Sequence, residues 1–129
     1  MIALLLAIVA AGPESCGGSQ RELNACVANS FKQADKELNA QWAKTPSTLR
    51  RHDKDMSKWP SYLGASADTL LQAQRAWLSY REKSCQTSAR ISAGTIAPMN
   101  YYFCMYSMTR ARTAELRAIA LNPNSGEPL

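Results

Sequence analysis

The 129-residue chain is long enough to bury one modest hydrophobic core, and this length excludes a second domain. Its 15 Lys and Arg against 10 Asp and Glu give a formal net charge of +5, which favours anionic partners. No stretch reaches the roughly 20 consecutive apolar residues of a membrane-spanning helix, so a domain that does not span a membrane is expected.

The first eleven residues are all apolar and give way abruptly to the polar stretch Gly12-Pro13-Glu14-Ser15. This pattern predicts a secretory signal peptide over residues 1–11 and a single mature domain over residues 12–129. The protein is therefore expected in the periplasm or outside the cell, where nucleic acid is not an expected partner. Four cysteines in an exported chain of this size predict two disulfides in an oxidising compartment.

Helix one is predicted over about 20 to 44. Ser19 and Glu22 have the spacing of a capping box, in which a hydroxyl and a carboxylate satisfy exposed backbone amides at a helix start. Apolar residues then recur at alternating steps of three and four, the spacing of one helical face. They are Leu23, Val27, Phe31, Ala34, Leu38 and Trp42.

The helical period stops after helix one. Pro46 disfavours helical geometry at the residue before it, and no sustained pattern follows. Residues 45–65 are therefore predicted to form a long surface loop, with Trp59 and Tyr62 as anchors to the body. A connection of this length either holds a helical turn around Leu49 or has a function of its own.

Two further helices complete the fold. Ser66 is predicted to cap helix two, which runs to about residue 88, and Pro98 suits the first position of helix three, over about 98 to 120. Residues 122–129 are expected to be a flexible tail. Nothing predicts a strand. The fold class is therefore all-α: a three-helix arrangement in which helices two and three form an antiparallel hairpin and helix one packs across both.

The hairpin predicts a disulfide pairing. The end of helix two lies beside the start of helix three, which places Cys85 opposite Cys104. Cys16, in the lead-in, can then fold back onto Cys26 in helix one. Four cysteines allow three pairings, and the other two, which tie helix one directly to the hairpin, stay open at this point.

Two arginines fall on helical stripes that otherwise point inward. Arg81 and Arg112 each need an acceptor, because an unpaired buried guanidinium is costly. Asp35 on helix one is the predicted shared partner, and a bidentate ion pair there would fix the register of the three helices. We interpret this cluster as structural rather than as a binding site.

The chemistry of the remaining side chains favours binding over catalysis. With the cysteines oxidised there is no thiolate nucleophile, and Asp35 and Glu37 point in different directions on helix one, unlike a glycosidase pair on one face. No motif calls for a metal or another cofactor. The candidate binding surface consists of aromatic and basic side chains: Trp59, Tyr62, Arg75, Tyr80, Arg110 and Arg117.

Several sequence blocks also carry a family resemblance. These blocks are Ala34-Asp35 followed by Leu38-Asn39; the run Ala73-Gln74-Arg75-Ala76-Trp77-Leu78 with Tyr80-Arg81 and Cys85; and Cys104 with Thr109, Arg112 and Leu116. Together they resemble the N-terminal domain of LprI-type lysozyme inhibitors, which are small exported bacterial proteins. One departure is the turn Ala93-Gly94-Thr95, where such proteins often have Gly-Gly-Ser.

The resemblance implies a helical, disulfide-bonded envelope module whose protein partner is a peptidoglycan hydrolase. A net charge of +5 would oppose its association with a strongly basic lysozyme. Two other hypotheses remain. One is an immunity or adaptor protein for a specific toxin or envelope protein. The other is a cationic binder of an anionic envelope glycan or lipid head group.

Overall fold

The computed structural model describes residues 12–124, and the described chain is helical with no strand. Four α-helices follow one another: α1 Gln20–Trp42, α2 Thr45–Met56, α3 Ser66–Ser92 and α4 Ala97–Leu121. Two short 3-10 turns, Pro13–Ser15 and Gly94–Ile96, precede α1 and α4. The all-α prediction is confirmed. The signal peptide over residues 1–11 and residues 125–129 of the predicted tail lie outside the described residues.

The three long helices, α1, α3 and α4, form the predicted bundle. α1 and α4 run parallel, because Asn24 contacts Thr95 near their starts while Thr45, just after α1, donates a 2.9 Å hydrogen bond to the Leu116 carbonyl near the end of α4. α3 runs antiparallel to α4, as predicted. α1 packs chiefly along α4 rather than equally across both helices of the hairpin. The central helix of the bundle is therefore α4.

Two disulfides cross-link the described chain, and their pairing is the predicted one. Cys85 of α3 is bonded to Cys104 of α4, and Cys16 of the lead-in is bonded to Cys26 of α1. The predicted cap of α1 is also present, since Ser19 Oγ accepts a hydrogen bond from the Glu22 amide. The first bridge therefore closes the hairpin, and the second fixes the lead-in to the start of α1.

The predicted loop over residues 45–65 is wrong for its first half, which is helix α2. Pro46 lies in the first turn of this helix, where a backbone N–H would have no intrahelical acceptor, so the proline begins the helix instead of preventing it. Thr45 and Leu49 are buried. Leu49 joins a core cluster at this end of the bundle with Leu38, Ala67, Leu70 and Leu116. The connection that remains covers residues 57–65.

The N-terminus of α3 is capped from α2. Ser66 is the first residue of α3 and not its cap, and the residue before it, Ala65, has no capping side chain. The carboxylate of Asp53 accepts four hydrogen bonds instead: from the amide and hydroxyl of Ser66, from the Ala67 amide and from the Tyr62 hydroxyl. A negative charge is favourable at this position because the helix dipole is positive there. Asp53 thus fixes α2, the connection and α3 to one another.

These contacts predict a pH-dependent stabilisation by Asp53. Burial raises the pKa of its carboxyl group, but the hydrogen bonds outweigh burial and lower the pKa from 3.8 to about 2. A depressed pKa in the folded state stabilises the protein above pH 4, and the contribution is lost as the pH falls towards 2. Asp53→Asn should therefore lower the free energy of unfolding by about 1 to 2 kcal/mol at pH 7.

Urea unfolding of the wild-type protein and of Asp53→Asn, measured between pH 2 and pH 7, tests this. Other carboxylates titrate in the same range, so the informative quantity is the difference between the two proteins at each pH. That difference should shrink between pH 4 and pH 2. A difference that stays constant over this range would contradict the assignment of the cap to the ionised carboxylate.

The turn before α4 has the sequence Ala93-Gly94-Thr95. Ala93 has φ 53° and ψ 176°, a conformation that glycine adopts far more readily than alanine, and Gly94 follows with φ 67°. Ala93 therefore occupies a position where glycine would be free of strain. The turn still leads directly into α4, with Pro98 in the first turn of the helix.

Candidate protein-binding surface

A polar cluster at the centre of the bundle holds Arg81. Its Nη1 lies 2.9 Å from Asp35 Oδ1 and donates a 2.8 Å hydrogen bond to Thr109 Oγ1. The guanidinium carbon is 5.0 Å from the centroid of the Trp77 ring and 5.4 Å from that of Phe31, within cation–π range. Arg81 thus joins α1, α3 and α4. The contact with Asp35 uses one nitrogen and is not the bidentate pair expected from the sequence.

Arg112 does not share Asp35, and this part of the expectation is wrong. Its Nε donates to Gln74 Oε1 on α3 and its Nη1 to Glu115 Oε2, each at 2.9 Å. Glu115 lies three residues further along α4, on the same side of that helix, and supplies the acceptor locally. Each buried arginine therefore has its own carboxylate, and the two charges are neutralised separately.

A second polar pair joins the hairpin near the Cys85–Cys104 bridge. The Tyr101 hydroxyl donates a 2.7 Å hydrogen bond to Glu82 Oε2. Burial, together with this carboxylate, raises the pKa of Tyr101 to about 12, and the hydrogen bond lowers the pKa of Glu82. At neutral pH the pair is a phenol and a carboxylate. Neither group has the pKa near 7 that suits a general acid or base, so the pair is structural.

The structure does not bring the six candidate binding residues together. Trp59 and Tyr62 lie on the connection at one end of the bundle, Trp59 exposed and Tyr62 bonded to Asp53. Arg110 faces α1, with Nη1 3.5 Å from Glu37 Oε2. The others are on the long helices: Arg75 and Tyr80 on α3 and Arg117 on α4, all exposed. The six residues therefore belong to several surfaces.

Tyr80 marks a feature that the sequence did not predict, an open groove between α3 and α4. At one end of this α3–α4 groove, Ile91 and Phe103 border a depression of about 310 Å³. Further along, Trp77, Tyr80 and Met108 border a second depression of similar volume. Within the described chain, no residue of α1 lines either one.

The groove presents apolar side chains to solvent. Ile91 is 81% exposed, Tyr80 is 64% exposed and Phe103 is 52% exposed. Ile91 lies beyond residue 88, where helix two was predicted to end, and Phe103 is an exposed residue of α4. The hydrophobicity of these two residues, at positions that the core does not use, is a sequence signal for the groove beside Tyr80, which was already a candidate binding residue.

The groove carries little charge. Among the described residues that line its two depressions there is no lysine, and the charged members are Arg112 and Glu115. The Arg112 side chain is 5% exposed and is paired with Glu115, which is 39% exposed. The net charge of the protein therefore resides elsewhere on its surface.

Nothing in the described part of the chain forms a metal site or a free thiol. No group of three or more His, Cys, Asp or Glu in residues 12–124 is arranged to hold a metal ion, and all four cysteines are paired. No described helix has the length and apolar character needed to cross a membrane. What the surface does offer is a largely apolar groove of low charge, which suits a protein partner.

The family model for the lysozyme inhibitor LprI matches residues 12–116. The chain belongs to the LprI lysozyme inhibitor family. The match begins directly after the predicted signal peptide and covers α1, α2, α3 and most of α4. It thereby includes both disulfides, the central arginine cluster and the α3–α4 groove. Membership indicates a binding protein similar to lysozyme inhibitors.

An uncharacterized protein of Rhizobium meliloti (strain 1021), R02472, is 31% identical over 102 residues, which cover 78% of this chain and 73% of that protein. No solved structure matches this chain. The details of its fold and surface therefore rest on the geometry described above.

Proposed function

We propose that this protein is an exported, non-enzymatic inhibitor that binds a peptidoglycan-degrading enzyme through the α3–α4 groove. Export is supported by the apolar run over residues 1–11 and by the two disulfides, which persist in the periplasm or outside the cell. Family membership supports a protein partner of the lysozyme type. The observation that carries the choice of surface is the exposed apolar edge of the groove.

The groove has the composition of a protein interface core. Binding energy in such interfaces concentrates in a few buried aromatic and aliphatic side chains. Tyr80, Ile91 and Phe103 are exposed in the free protein and would be buried by a partner seated between α3 and α4. Two depressions of about 310 Å³ each provide room for side chains of that partner.

Because the groove carries little charge, the positive net charge of the protein does not prevent binding of a basic target there. A net charge of +5 repels a basic lysozyme at long range, but the energy of the bound state depends on the charges at the interface. The groove has no lysine among its described lining residues, and Glu115 gives it a partly exposed carboxylate. A basic hydrolase can therefore dock there without facing like charge at close range.

Inhibition assays with variants of the groove test the proposal. Phe103→Ala and Ile91→Ala should each weaken inhibition of the susceptible hydrolase at least about tenfold, because each removes an apolar side chain that the complex buries. Leu63→Ala is the matched control, since Leu63 is 99% exposed but lies on the connection, away from the groove. Activity of purified peptidoglycan hydrolases on cell-wall suspensions, with and without the inhibitor, gives the inhibition constants.

Two results would count against this function. If no enzyme of a panel of lysozymes and other peptidoglycan hydrolases is inhibited or forms a complex, the proposed target class is wrong. If a hydrolase is inhibited equally by the wild-type protein and by both groove variants, the proposed surface is wrong. Binding through the groove to an exported toxin, with no hydrolase inhibited, would favour the immunity-protein hypothesis.

A further inference from the structure

A second exposed surface lies at the end of the bundle formed by α2 and the connection 57–65. Thr45 and Leu49 point into the core, so the opposite side of α2 faces solvent. The outward positions at intervals of three or four are basic and continue into the connection. We call these residues, together with the aromatic and aliphatic side chains that follow, the basic end surface: Arg50, Arg51, Lys54, Lys58, Trp59 and Leu63.

The four cations of this surface are not neutralised by ion pairs within residues 12–124. Arg50 and Arg51 contact hydroxyl groups of their own helix, and these leave the positive charge intact. Of the acidic side chains on α2, Asp53 is committed to the N-terminus of α3. Asp55 is the acidic side chain of α2 that remains exposed, and the exposed Asp68 of α3 lines the same depression as Arg50, so two exposed carboxylates stand against four cations. The basic end surface therefore has a net positive charge.

Two apolar side chains accompany these cations. Trp59 is 56% exposed, and Leu63 is 99% exposed. Tyr62, between them, is turned back onto α2 by its hydrogen bond to Asp53, which holds the connection against the bundle. Trp59 and Leu63 thus project from a fixed segment and line no depression described above. Apolar side chains that project singly beside cations are suited to insertion into a lipid surface.

We propose that the basic end surface docks on an anionic phospholipid bilayer. Arg50, Arg51, Lys54 and Lys58 meet the lipid phosphates, while Trp59 and Leu63 enter the boundary between head groups and acyl chains. Tryptophan is favoured at this depth because its ring is apolar and its N–H can still reach a polar partner. The four cations have no ion-pair partner and complement the negative charge of an anionic bilayer. This complementarity favours lipid over a neutral partner.

This proposal is independent of the inhibitor function. The basic end surface lies at the start of α3, whereas Ile91 lies 25 residues further along the same helix, roughly 38 Å away along its axis. Docking on a bilayer would therefore leave the Ile91–Phe103 end of the groove open to solution. The protein could hold its groove clear of the membrane surface while bound to it.

Vesicle sedimentation with the oxidised full-length chain tests the proposal. The protein should bind vesicles of phosphatidylglycerol and phosphatidylcholine, bind pure phosphatidylcholine much more weakly, and lose affinity as salt is raised. Residues 1–11 are the same in the wild-type protein and in every variant, so they do not account for a difference in binding between variants. Lys54→Gln/Lys58→Gln should reduce partitioning about 30-fold. Trp59→Ala should reduce it on the order of tenfold.

Matched variants at the opposite end of the bundle provide the controls. Lys83→Gln/Arg90→Gln removes the same net charge from the exposed side of α3, and Ile91→Ala removes an exposed apolar side chain. Both should partition like the wild-type protein. Equal binding to the two lipids, equal losses in both charge variants, or binding to a soluble acidic polymer such as polyphosphate but not to vesicles would each overturn the proposal.

The experiments distinguish a failure of the inhibitor proposal from a failure of the membrane-docking proposal. Ile91→Ala is expected to weaken hydrolase inhibition and leave vesicle binding unchanged, whereas Lys54→Gln/Lys58→Gln is expected to do the reverse. Far-ultraviolet circular dichroism of each variant confirms that it is folded. Loss of vesicle binding in the charge variant with inhibition intact therefore refers to the basic end surface alone.

Discussion

Replacing Cys85 and Cys104 together with alanine should lower the free energy of unfolding by about 3 to 4 kcal/mol. The bridge joins residues 19 apart in sequence, and a loop of this size constrains the unfolded chain by about 3 kcal/mol in the chain-entropy model. Cys85 is also fully buried, so alanine leaves a small cavity between α3 and α4. Urea unfolding followed by circular dichroism measures the loss as a lower midpoint.

The second bridge gives the matched control. Cys16 and Cys26 are 10 residues apart, and their bond ties a short lead-in to α1. Without it, the lead-in can detach while the bundle stays folded, so Cys16→Ala/Cys26→Ala should cost about 1 kcal/mol. Equal losses in the two double variants, or a larger loss at the second bridge, would show that the hairpin bridge does not dominate the stability of the fold.

The sequence predicted those features that depend on local pattern. The inward stripe of α1, the Ser19 cap and the antiparallel hairpin follow from helical spacing and turn chemistry, and the hairpin also placed Cys85 opposite Cys104. These features can be predicted from residues that are close in sequence. A short turn between two amphipathic helices leaves one arrangement in which their inward faces meet.

Helix α2 was missed because its local signals conflict. Pro46 follows α1 closely and was interpreted as the end of helical structure, although proline is equally suited to a first turn. The twelve-residue segment is polar, and its inward face is reduced to Thr45, Leu49 and the partly buried Met56. Its stability comes from tertiary contacts, above all from Leu49 in the core and Asp53 at α3.

The sequence could not predict the partners of the buried arginines either, because these also depend on tertiary contacts. The spacing identified Arg81 and Arg112 as inward-facing, but which carboxylate reaches which guanidinium depends on the rotation and offset of α1 along α4. The structure gives Asp35 to Arg81 and Glu115 to Arg112. The α3–α4 groove depends on the same offset, because it is the side of the hairpin that α1 leaves uncovered.

Asp35→Ala should lower the free energy of unfolding by about 2 to 3 kcal/mol. It removes the carboxylate that neutralises Arg81, whose side chain is 10% exposed, and leaves a buried cation with Thr109 as its hydrogen-bond acceptor. The loss falls below that of a fully buried pair because the Asp35 side chain is 34% exposed and solvent screens part of the interaction. Asp35→Asn keeps an acceptor and should cost about half as much.

Glu37→Ala is the control for Asp35→Ala. It removes a carboxylate of the same helix whose ion pair lies on the surface, so the two losses of unfolding free energy compare a surface pair with a buried one. Glu37 lies 3.5 Å from Arg110, and both side chains are 48% exposed, so its removal should cost less than about 0.5 kcal/mol. If Asp35→Ala cost as little, Arg81 would be held by Thr109 and by the faces of Trp77 and Phe31 alone. The register of α1 against the hairpin would then rest on packing, and the ion pair would not be needed to specify it.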